Sequence, residues 1–484
     1  MTPLKIALTL TIGSLLAATP VYSGQAPFAA SALDVPISSR DRVYAAEQFS
    51  NTVSVIDPSS NRLLGVIRLG EPQPTNFSPL YRGQVLVHGM GFAPDGKTIA
   101  VVSIGSNGVS FIDTATNIVK QTTYVGRAPH EAFFTPDGRE VWVTVRGEDY
   151  VAVLDSATYK EIARVKTPGG PGMTIFSPDG RLAYVCSSFN PELVVFDVTS
   201  RTEVGRVAQP SPFCPNIAAT PDSKQVWYTL KDVGKVVVID AKPPFATLKV
   251  IDAGPITNHV NFVDNRHGKF AYITVGGLNE VQVFRRDNFT KVATIPVGAL
   301  PHGIWPSGDG RRIYVGLENG DAMVAIDTLT NQVVATIPIG QGAQAVNYVP
   351  NAVQTGTGLA SLEPLGIAGN AKHIALAASG DKTSPPTTSV SLFDQGLVQV
   401  LEAGVTGLAP KSPYVLGLTS KPDGSGSFEP LAAFTTNAAG AAIVNATGRI
   451  RTIVEADSPS LRRYLVIVQG TPGRPGVAVQ VQVN

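Results

Sequence analysis

Four of the six histidines stand at one position of a repeated pattern, six residues before a turn of the Pro-Asp-Gly type. These histidines are His88, His130, His259 and His302. An imidazole changes charge near neutral pH, so it can act as a general acid or base, and it is also a common ligand of zinc and copper. Equivalent positions of a repeat meet around one axis. The set therefore predicts a binding, metal or catalytic site there, unless duplication of one turn has retained the histidine without a use.

The spacing of this histidine position indicates the fold. The residues that occupy it are 42 to 44 residues apart: His88, His130, Gly172, Pro215, His259, His302 and Gln344. A second repeated position is the last residue of a strand of the Val-x-Val-Ile-Asp type. Six units have aspartate there and one has arginine: Asp57, Asp113, Asp155, Asp197, Asp240, Arg285 and Asp327. Only its first interval is long, because residues 70–87 form an insertion. Two independent registers predict seven units.

Each unit has the composition of a propeller blade. Residues 130–169, for example, contain four short runs rich in Val, Ile, Tyr, Trp and Phe, separated by turn residues. Residues 43–70 supply three strands without a fourth, whereas the last unit supplies only one strand near residues 344–350. We expect these two ends to complete one blade, since closing the ring removes exposed strand edges. The prediction is an all-β fold with a seven-bladed β-propeller over residues 43–350.

Several segments resemble the YVTN family of bacterial seven-bladed propellers. They include VWVTVRGEDYVAVLD (141–155), AYITVGGLNEVQVFR (271–285) and IYVGLENGDAMVAID (313–327). The resemblance covers residues 43–350. It implies a propeller and an exported protein, and it leaves the specific function open because the roles of the family vary.

The predicted ligand-binding residues lie at one face of the ring, which we call the mouth. The inner strand of each blade starts there, and the loops after each second strand reach the same face. Those loops carry Gln48, Ile104, Arg146, Ser188, Lys231, Gly276 and Glu318. The insertion at 70–87 directly precedes His88 and is predicted to be either a lid or a plain surface loop. The ligand-binding set is therefore His88, His130, His259, His302, Gln344, Arg146 and Lys231, with Tyr81 and Arg82 from the insertion.

The histidines are also the candidate metal ligands, with a transition metal as the candidate cofactor. Imidazole nitrogens bind zinc at about 2 Å, and opposite sides of a seven-bladed channel are expected to be too far apart for one ion. His88 with His130, or His259 with His302, would then supply two ligands, with Glu131, water or substrate completing the shell. Glu131 follows His130 on an extended strand, where adjacent side chains point to opposite faces, so we expect it to face solvent.

The first 26 residues and the two cysteines indicate the cellular compartment of the protein. Residues 1–26 combine Lys5, an apolar run and small residues, as in a secretory signal peptide, and no later stretch is long and apolar enough to span a bilayer. A periplasmic or extracellular location is predicted. Cys186 and Cys214 both map to the mouth face of adjacent blades, so we expect a disulfide between them, with free thiols or a metal role as the alternative.

Composition excludes some classes of function. The 38 Lys and Arg residues nearly balance the 37 Asp and Glu residues, so no basic surface is expected for nucleic acid. A nucleotide-binding glycine loop, a nucleophile elbow, an HExxH sequence and a CxxCH sequence are all absent from the sequence.

A second module is predicted after the propeller. The 42-residue register stops near residue 351, and residues 351–362 have the small, Gly-rich composition of a linker. Residues 363–484 contain six or seven strand candidates at even spacing, which favours a β-sandwich of the fibronectin or immunoglobulin type. The segment VTGLAPKSPYVLGL resembles the Leu-x-Pro-x-x-x-Tyr turn of fibronectin-type sandwiches.

The sequence favours an exported binding or scaffolding protein that recognises a small ligand or a protein partner at its histidine-lined mouth. The alternative is a propeller enzyme of the lactonase type, or a metal-assisted hydrolase or oxidoreductase, that uses the same histidines.

Overall fold

The computed structural model describes residues 36–70, 85–380, 385–394 and 399–483. The expected signal peptide (1–26) and the lid residues Tyr81 and Arg82 lie outside these ranges, so what was expected of them stays a prediction.

The first twenty-eight strands build the propeller. In chain order they are β1 (Arg42–Glu47), β2 (Thr52–Asp57), β3 (Arg62–Arg68), β4 (Val87–Phe92), β5 (Thr98–Ser103), β6 (Gly108–Asp113), β7 (Val119–Tyr124), β8 (Pro129–Phe134), β9 (Glu140–Val145), β10 (Tyr150–Asp155), β11 (Glu161–Lys166), β12 (Pro171–Phe176), β13 (Leu182–Ser187), β14 (Glu192–Asp197), β15 (Glu203–Ala208), β16 (Ile217–Ala219), β17 (Gln225–Leu230), β18 (Lys235–Asp240), β19 (Thr247–Asp252), β20 (Thr257–Asn265), β21 (Gly268–Val275), β22 (Glu280–Arg285), β23 (Lys291–Pro296), β24 (Pro301–Pro306), β25 (Arg312–Leu317), β26 (Ala322–Asp327), β27 (Gln332–Pro338) and β28 (Ala343–Val349).

These strands form seven antiparallel sheets of four strands, which are the seven predicted blades. Blades 1 to 6 start at β4, β8, β12, β16, β20 and β24, and each is continuous in sequence. Blade 7 has the order β28, β1, β2, β3, and Ala45 of β1 lies opposite Val346 of β28. The predicted all-β propeller, closed by strands from its two ends, is confirmed.

Turn chemistry explains the repeated Pro-Asp-Gly and Asp markers. In blade 2 the Asp137 carboxylate accepts a hydrogen bond from Thr135 Oγ1 at 2.6 Å, and Gly138 adopts a left-handed φ of +72°. After the third strand, the Asp155 carboxylate accepts a hydrogen bond from the Thr158 N–H at 2.7 Å. The acids at both markers therefore shape turns.

Burial within a blade decreases from the channel outward. In blade 2, β8 is buried throughout, whereas β11 is mostly exposed. Neighbouring blades pack face to face through large aromatic side chains, such as Trp142 against Phe176 with ring centroids 5.5 Å apart. This packing holds the start of every inner strand in a defined position around the channel.

Eight further strands form the C-terminal barrel (residues 372–482). They are β29 (Lys372–Ala378), β30 (Thr388–Asp394), β31 (Gln399–Val405), β32 (Pro413–Thr419), β33 (Phe428–Thr435), β34 (Ala442–Gly448), β35 (Tyr464–Thr471) and β36 (Arg474–Gln482). One sheet contains all eight, in the order β33, β32, β35, β36, β29, β30, β31, β34, and its end strands β33 and β34 touch.

The barrel is thus one curled, nearly closed sheet around an apolar core, where the sequence indicated two packed sheets. Leu376, Leu401 and Ile467 are among the fully buried residues of that core. Tyr414 Oη accepts a hydrogen bond from the Ala409 N–H at 3.2 Å, which is the corner contact that the Leu-x-Pro-x-x-x-Tyr resemblance implies.

Helix is scarce in the described part of the chain. It comprises α1 (Ile450–Val454) and the 3₁₀ turns Gly276–Leu278 and Gly366–Gly369. No helix in the described ranges has the length and apolar character needed to cross a membrane.

The C-terminal barrel packs against the mouth of blades 4 to 7. At blade 7, Phe49 stacks on Phe393 with ring centroids 4.2 Å apart. At blade 6, His373 Nε2 lies 3.1 Å from an Asp321 carboxylate oxygen. Ile256 and Leu300 of the propeller bury an apolar contact with Ala441 of the barrel. The mouth of blades 4 to 7 is therefore an interdomain interface.

The predicted disulfide between Cys186 and Cys214 is present and links blade 3 to blade 4. The Cα atoms are 6.0 Å apart, and both residues are buried. The bond crosslinks positions 28 residues apart in sequence, so its removal enlarges the conformational freedom of the unfolded chain.

We expect a variant carrying both Cys186→Ala and Cys214→Ala to lose about 3 to 4 kcal/mol of unfolding free energy, measured by urea denaturation. Its unfolding curve should not respond to a reductant, which serves as the control. Equal stability of the variant and the parent protein would contradict a stabilising role for the bond.

Candidate functional site

Four imidazoles form a row in the channel just below the mouth. The ring centroids of His88 and His130 are 4.4 Å apart, and those of His259 and His302 are 4.6 Å apart. His88 and His302 connect the two pairs at 6.4 Å. All four are buried. His88 of blade 1 and His302 of blade 6 lie on either side of blade 7, and their rings are only 6.4 Å apart, so the channel is narrower at this level than expected.

Backbone carbonyls determine which nitrogen of two of these rings is protonated. His130 Nδ1 lies 2.8 Å from the carbonyl oxygen of Gly172, and His302 Nδ1 lies 2.7 Å from that of Gln344. A carbonyl oxygen only accepts hydrogen bonds, so Nδ1 carries the proton in both rings and Nε2 of the neutral ring has a free lone pair. His88 Nδ1 is buried and has no hydrogen-bond partner among the described residues.

Burial keeps the four rings neutral at physiological pH. Desolvation is the main cause that lowers the pKa of His88, His130 and His259 well below the usual value, and neighbouring histidines and cations lower it further. For His302, burial followed by the charge of Lys231 lowers the pKa to about 3. Neutral imidazoles are the form that binds metals and accepts protons.

Glu131 is buried in the channel wall, and the expectation that it faces solvent is wrong. The pairing of β8 with β9 shifts register between Pro129 and Ala132, so the simple alternation of side chains fails there. Only 2% of Glu131 is exposed, and its carboxylate accepts a hydrogen bond from the Met90 N–H at 3.1 Å. Burial raises the pKa of Glu131 to about 8.

A glycine in the neighbouring blade makes room for this carboxyl group. A Cβ atom placed on Gly89 would come within 2.3 Å of Glu131 Oε2. Blades 1 and 6 have a His-Gly pair at the histidine position, whereas blade 2 has His130 followed by Glu131. The change from His-Gly to His-Glu is the sequence signal that distinguishes blade 2.

Two cations lie at the mouth around a shared aromatic ring. Arg146 Cζ is 5.2 Å from the ring centroid of Phe213, and Lys231 Nζ is 6.0 Å from it. Arg146 also lies 5.7 Å from the ring of Phe189. Neither cation forms an ion pair within 4 Å with any acid in the described ranges. Burial lowers the pKa of Arg146, and Lys231 is buried.

A pair of carboxyl groups joins the C-terminal barrel to the mouth. Glu402 of β31 is hydrogen-bonded to Glu318 of blade 6, and Glu318 Oε1 accepts a second hydrogen bond from Gln344 Nε2 at 2.7 Å. Burial, and then the charge of Glu318, raise the pKa of Glu402 well above its usual value, although the charge of Lys231 opposes them. Glu402 is therefore the proton donor of the pair.

The structure brings His88, His130, His259, His302 and Gln344 together in the channel, with Arg146 and Lys231 at its mouth. Sequence reasoning missed Phe213, which precedes Cys214, and it missed Glu402, because the repeat register does not extend into the barrel. The remaining predicted residues, Tyr81 and Arg82, lie outside the described ranges.

The Glu318–Glu402 pair predicts a pH-dependent stability. The pKa of Glu402 is about 4.5 in the unfolded chain and well above that in the folded protein. Its contribution to stability is therefore fully present below pH 4.5, and it is lost as the pH rises through the pKa of the folded state. Each unit of difference between the folded and unfolded pKa changes the unfolding free energy by about 1.4 kcal/mol. We expect the unfolding free energy to fall as the pH rises above about 4.5.

The variant Glu402→Gln keeps a neutral donor toward Glu318, so it should lose much of this pH dependence. Urea unfolding at several pH values measures both curves. Parallel curves for the two proteins would show that Glu402 is not the titrating group.

Comparisons with known proteins support the propeller fold. Residues 109–333 match the model of a family described as lactonase, 7-bladed beta-propeller. A Kuenenia stuttgartiensis hydrazine synthase structure is 20% identical, covers 56% of this chain and 91% of its own, and has a TM-score of 0.49. A functionally unknown protein from Desulfotomaculum acetoxidans is 13% identical, covers 63% of this chain and 98% of its own, and has a TM-score of 0.53. No curated protein matches the chain. The family match supports the seven-bladed propeller fold, and at 13% identity the similarity to the Desulfotomaculum acetoxidans protein concerns the fold alone.

Proposed function

We propose that the protein is an exported propeller of the YVTN type that binds a small anionic ligand at its histidine-lined mouth. The observation that carries this proposal is the pair of cations at the mouth, the partly buried Arg146 and the buried Lys231, which share Phe213 and form no ion pair with the described residues. The Cys186–Cys214 disulfide supports export, because disulfides persist in oxidising compartments.

The partial burial of Arg146, which lowers its pKa, favours an anion as its missing partner. A cation removed from water is costly unless a charge or several hydrogen bonds compensate for the loss. The Phe213 and Phe189 rings contribute cation–π attraction, which leaves the guanidinium donors available. A guanidinium forms paired hydrogen bonds with carboxylates and phosphates, and either group fits the chemistry of this mouth.

The position of the C-terminal barrel favours a small ligand over a protein partner at the mouth. The barrel packs over blades 4 to 7, so a protein surface would have to displace it. The barrel contacts at blades 4 to 7 do not include Arg146 or Phe189 of blades 2 and 3, and Phe189 is 60% exposed. A small anion can enter from that side and reach Arg146 first.

Anion binding is tested with inorganic phosphate, sulfate, acetate and succinate, by thermal shift and isothermal titration calorimetry. We expect at least one of them to raise the Tm. Arg146→Met and Lys231→Met should each weaken its binding by about tenfold or more, because each removes a charge-assisted contact. Arg139→Met makes the same charge change at an exposed site and should have no effect. Failure of all four anions, or equal binding by the parent and both mouth variants, would contradict the proposal.

A lactone-hydrolysing enzyme is the second candidate, and the family match over residues 109–333 favours it. In that case the neutral His130 would act as the general base, with Arg146 stabilising negative charge on the lactone oxygen. The test is acid release from five- and six-membered lactones in a pH-stat. We expect His130→Ala to lower kcat/KM by about a hundredfold or more if this activity exists. Absence of acid release in the parent protein would remove this candidate and leave the binding proposal unaffected.

A further inference from the structure

We propose that His88, His130 and Glu131 form a binding site for a divalent first-row transition metal ion in the channel wall. One ligand atom of each residue lies within 4.8 Å of those of the other two, and all three residues are buried. The site goes beyond the anion site proposed above, since it lies in the channel wall and does not use Arg146 or Lys231.

The first argument is the orientation of His130. Its Nδ1–H donates to the Gly172 carbonyl oxygen at 2.8 Å, so the ring cannot rotate freely and its Nε2 lone pair remains available. Histidines that bind metals commonly have this arrangement, in which the second ring nitrogen donates to a carbonyl or carboxylate oxygen. His88 adds a ring at 4.4 Å whose Nδ1 is buried and has no partner among the described residues.

The second argument is the unpaired carboxyl group of Glu131. Glu131 forms no ion pair with a residue in the described ranges, and its carboxylate accepts one hydrogen bond there, from the Met90 N–H. A glutamate that is fully buried without a cation is uncommon. The carboxyl group occupies the space that the missing side chain of Gly89 leaves, and it lies beside the two imidazoles. A bound cation would supply the positive charge that stabilises the ionised form of this carboxyl group.

The ligand set determines the class of metal. Two imidazoles and one carboxylate are a set that zinc uses in catalytic sites and that non-haem iron(II) uses with open positions. Three protein ligands leave at least one position for water or another ligand. His259 and His302 also face each other, but the described residues place no third ligand with them, because His88, His130 and Glu131 are the only group of this kind in the described ranges.

The test uses the full-length protein, dialysed against a chelator and titrated with Zn²⁺ by isothermal titration calorimetry. We expect one equivalent of Zn²⁺ to bind. His88→Ala and His130→Ala should each weaken binding by at least about a hundredfold. Glu131→Gln has nearly the same shape as the parent side chain, so it should fold normally, and it should weaken binding by about tenfold or more. Titration with Co²⁺ gives a second readout, since visible absorption reports the coordination of the ion and should change in Glu131→Gln.

Two control variants distinguish binding at this site from binding elsewhere in the channel. His259→Ala removes an imidazole from the same row and should leave Zn²⁺ binding within about twofold of the parent protein. Arg146→Met should also bind Zn²⁺ normally, even though we expect it to lose anion binding. The inference is overturned if the parent protein binds neither ion, if His88→Ala and His130→Ala bind as well as the parent, or if His259→Ala loses binding to the same extent.

Discussion

The convergence of seven inner strands on one axis is the constraint on which the rest of the structure depends. Neighbouring inner strands approach so closely that a Cβ atom on Gly89 or Gly303 would collide with the next strand. Little space remains on the axis, so any polar side chain at the start of an inner strand is removed from water. The neutrality of the four imidazoles, the raised pKa of Glu131 and the absence of free rotation for His130 all follow from this crowding. Chemistry at the channel is therefore a consequence of packing.

The sequence alone predicts the features that the repeat controls. The 42-residue period, the turn residues and the unmatched strands at the two ends are enough to predict seven blades and their closure, because each depends on local pattern and on pairing of strand edges. The histidine position and the mouth cations follow from the same register. Equivalence within the repeat predicts that they lie around one axis, whereas the narrowness of the channel at the histidines was not predicted.

Features that depend on departures from the repeat cannot be predicted in this way. Glu131 stands where blades 1 and 6 have glycine, and it is buried where β8 shifts register against β9. The same shift occurs in β4 and β24, but no residue type reports it directly. Glu402 meets Glu318 because a separate domain packs on the mouth, and the pattern of one domain contains no information about that packing. The curled sheet of the C-terminal barrel is similar: strand spacing indicates how many strands exist, while closure depends on how the end strands meet.

Blade 7 also has a consequence for how the protein is made. Val43 pairs with Tyr348, so the ring cannot close until more than 300 residues have followed the first strand. Until then β1 has an unpaired edge, and during synthesis such an edge is open to pairing with other chains. The C-terminal barrel follows β28 in the chain, so its strands are synthesised only after every strand of the ring. The covering of the mouth of blades 4 to 7 is therefore the last contact that synthesis makes possible.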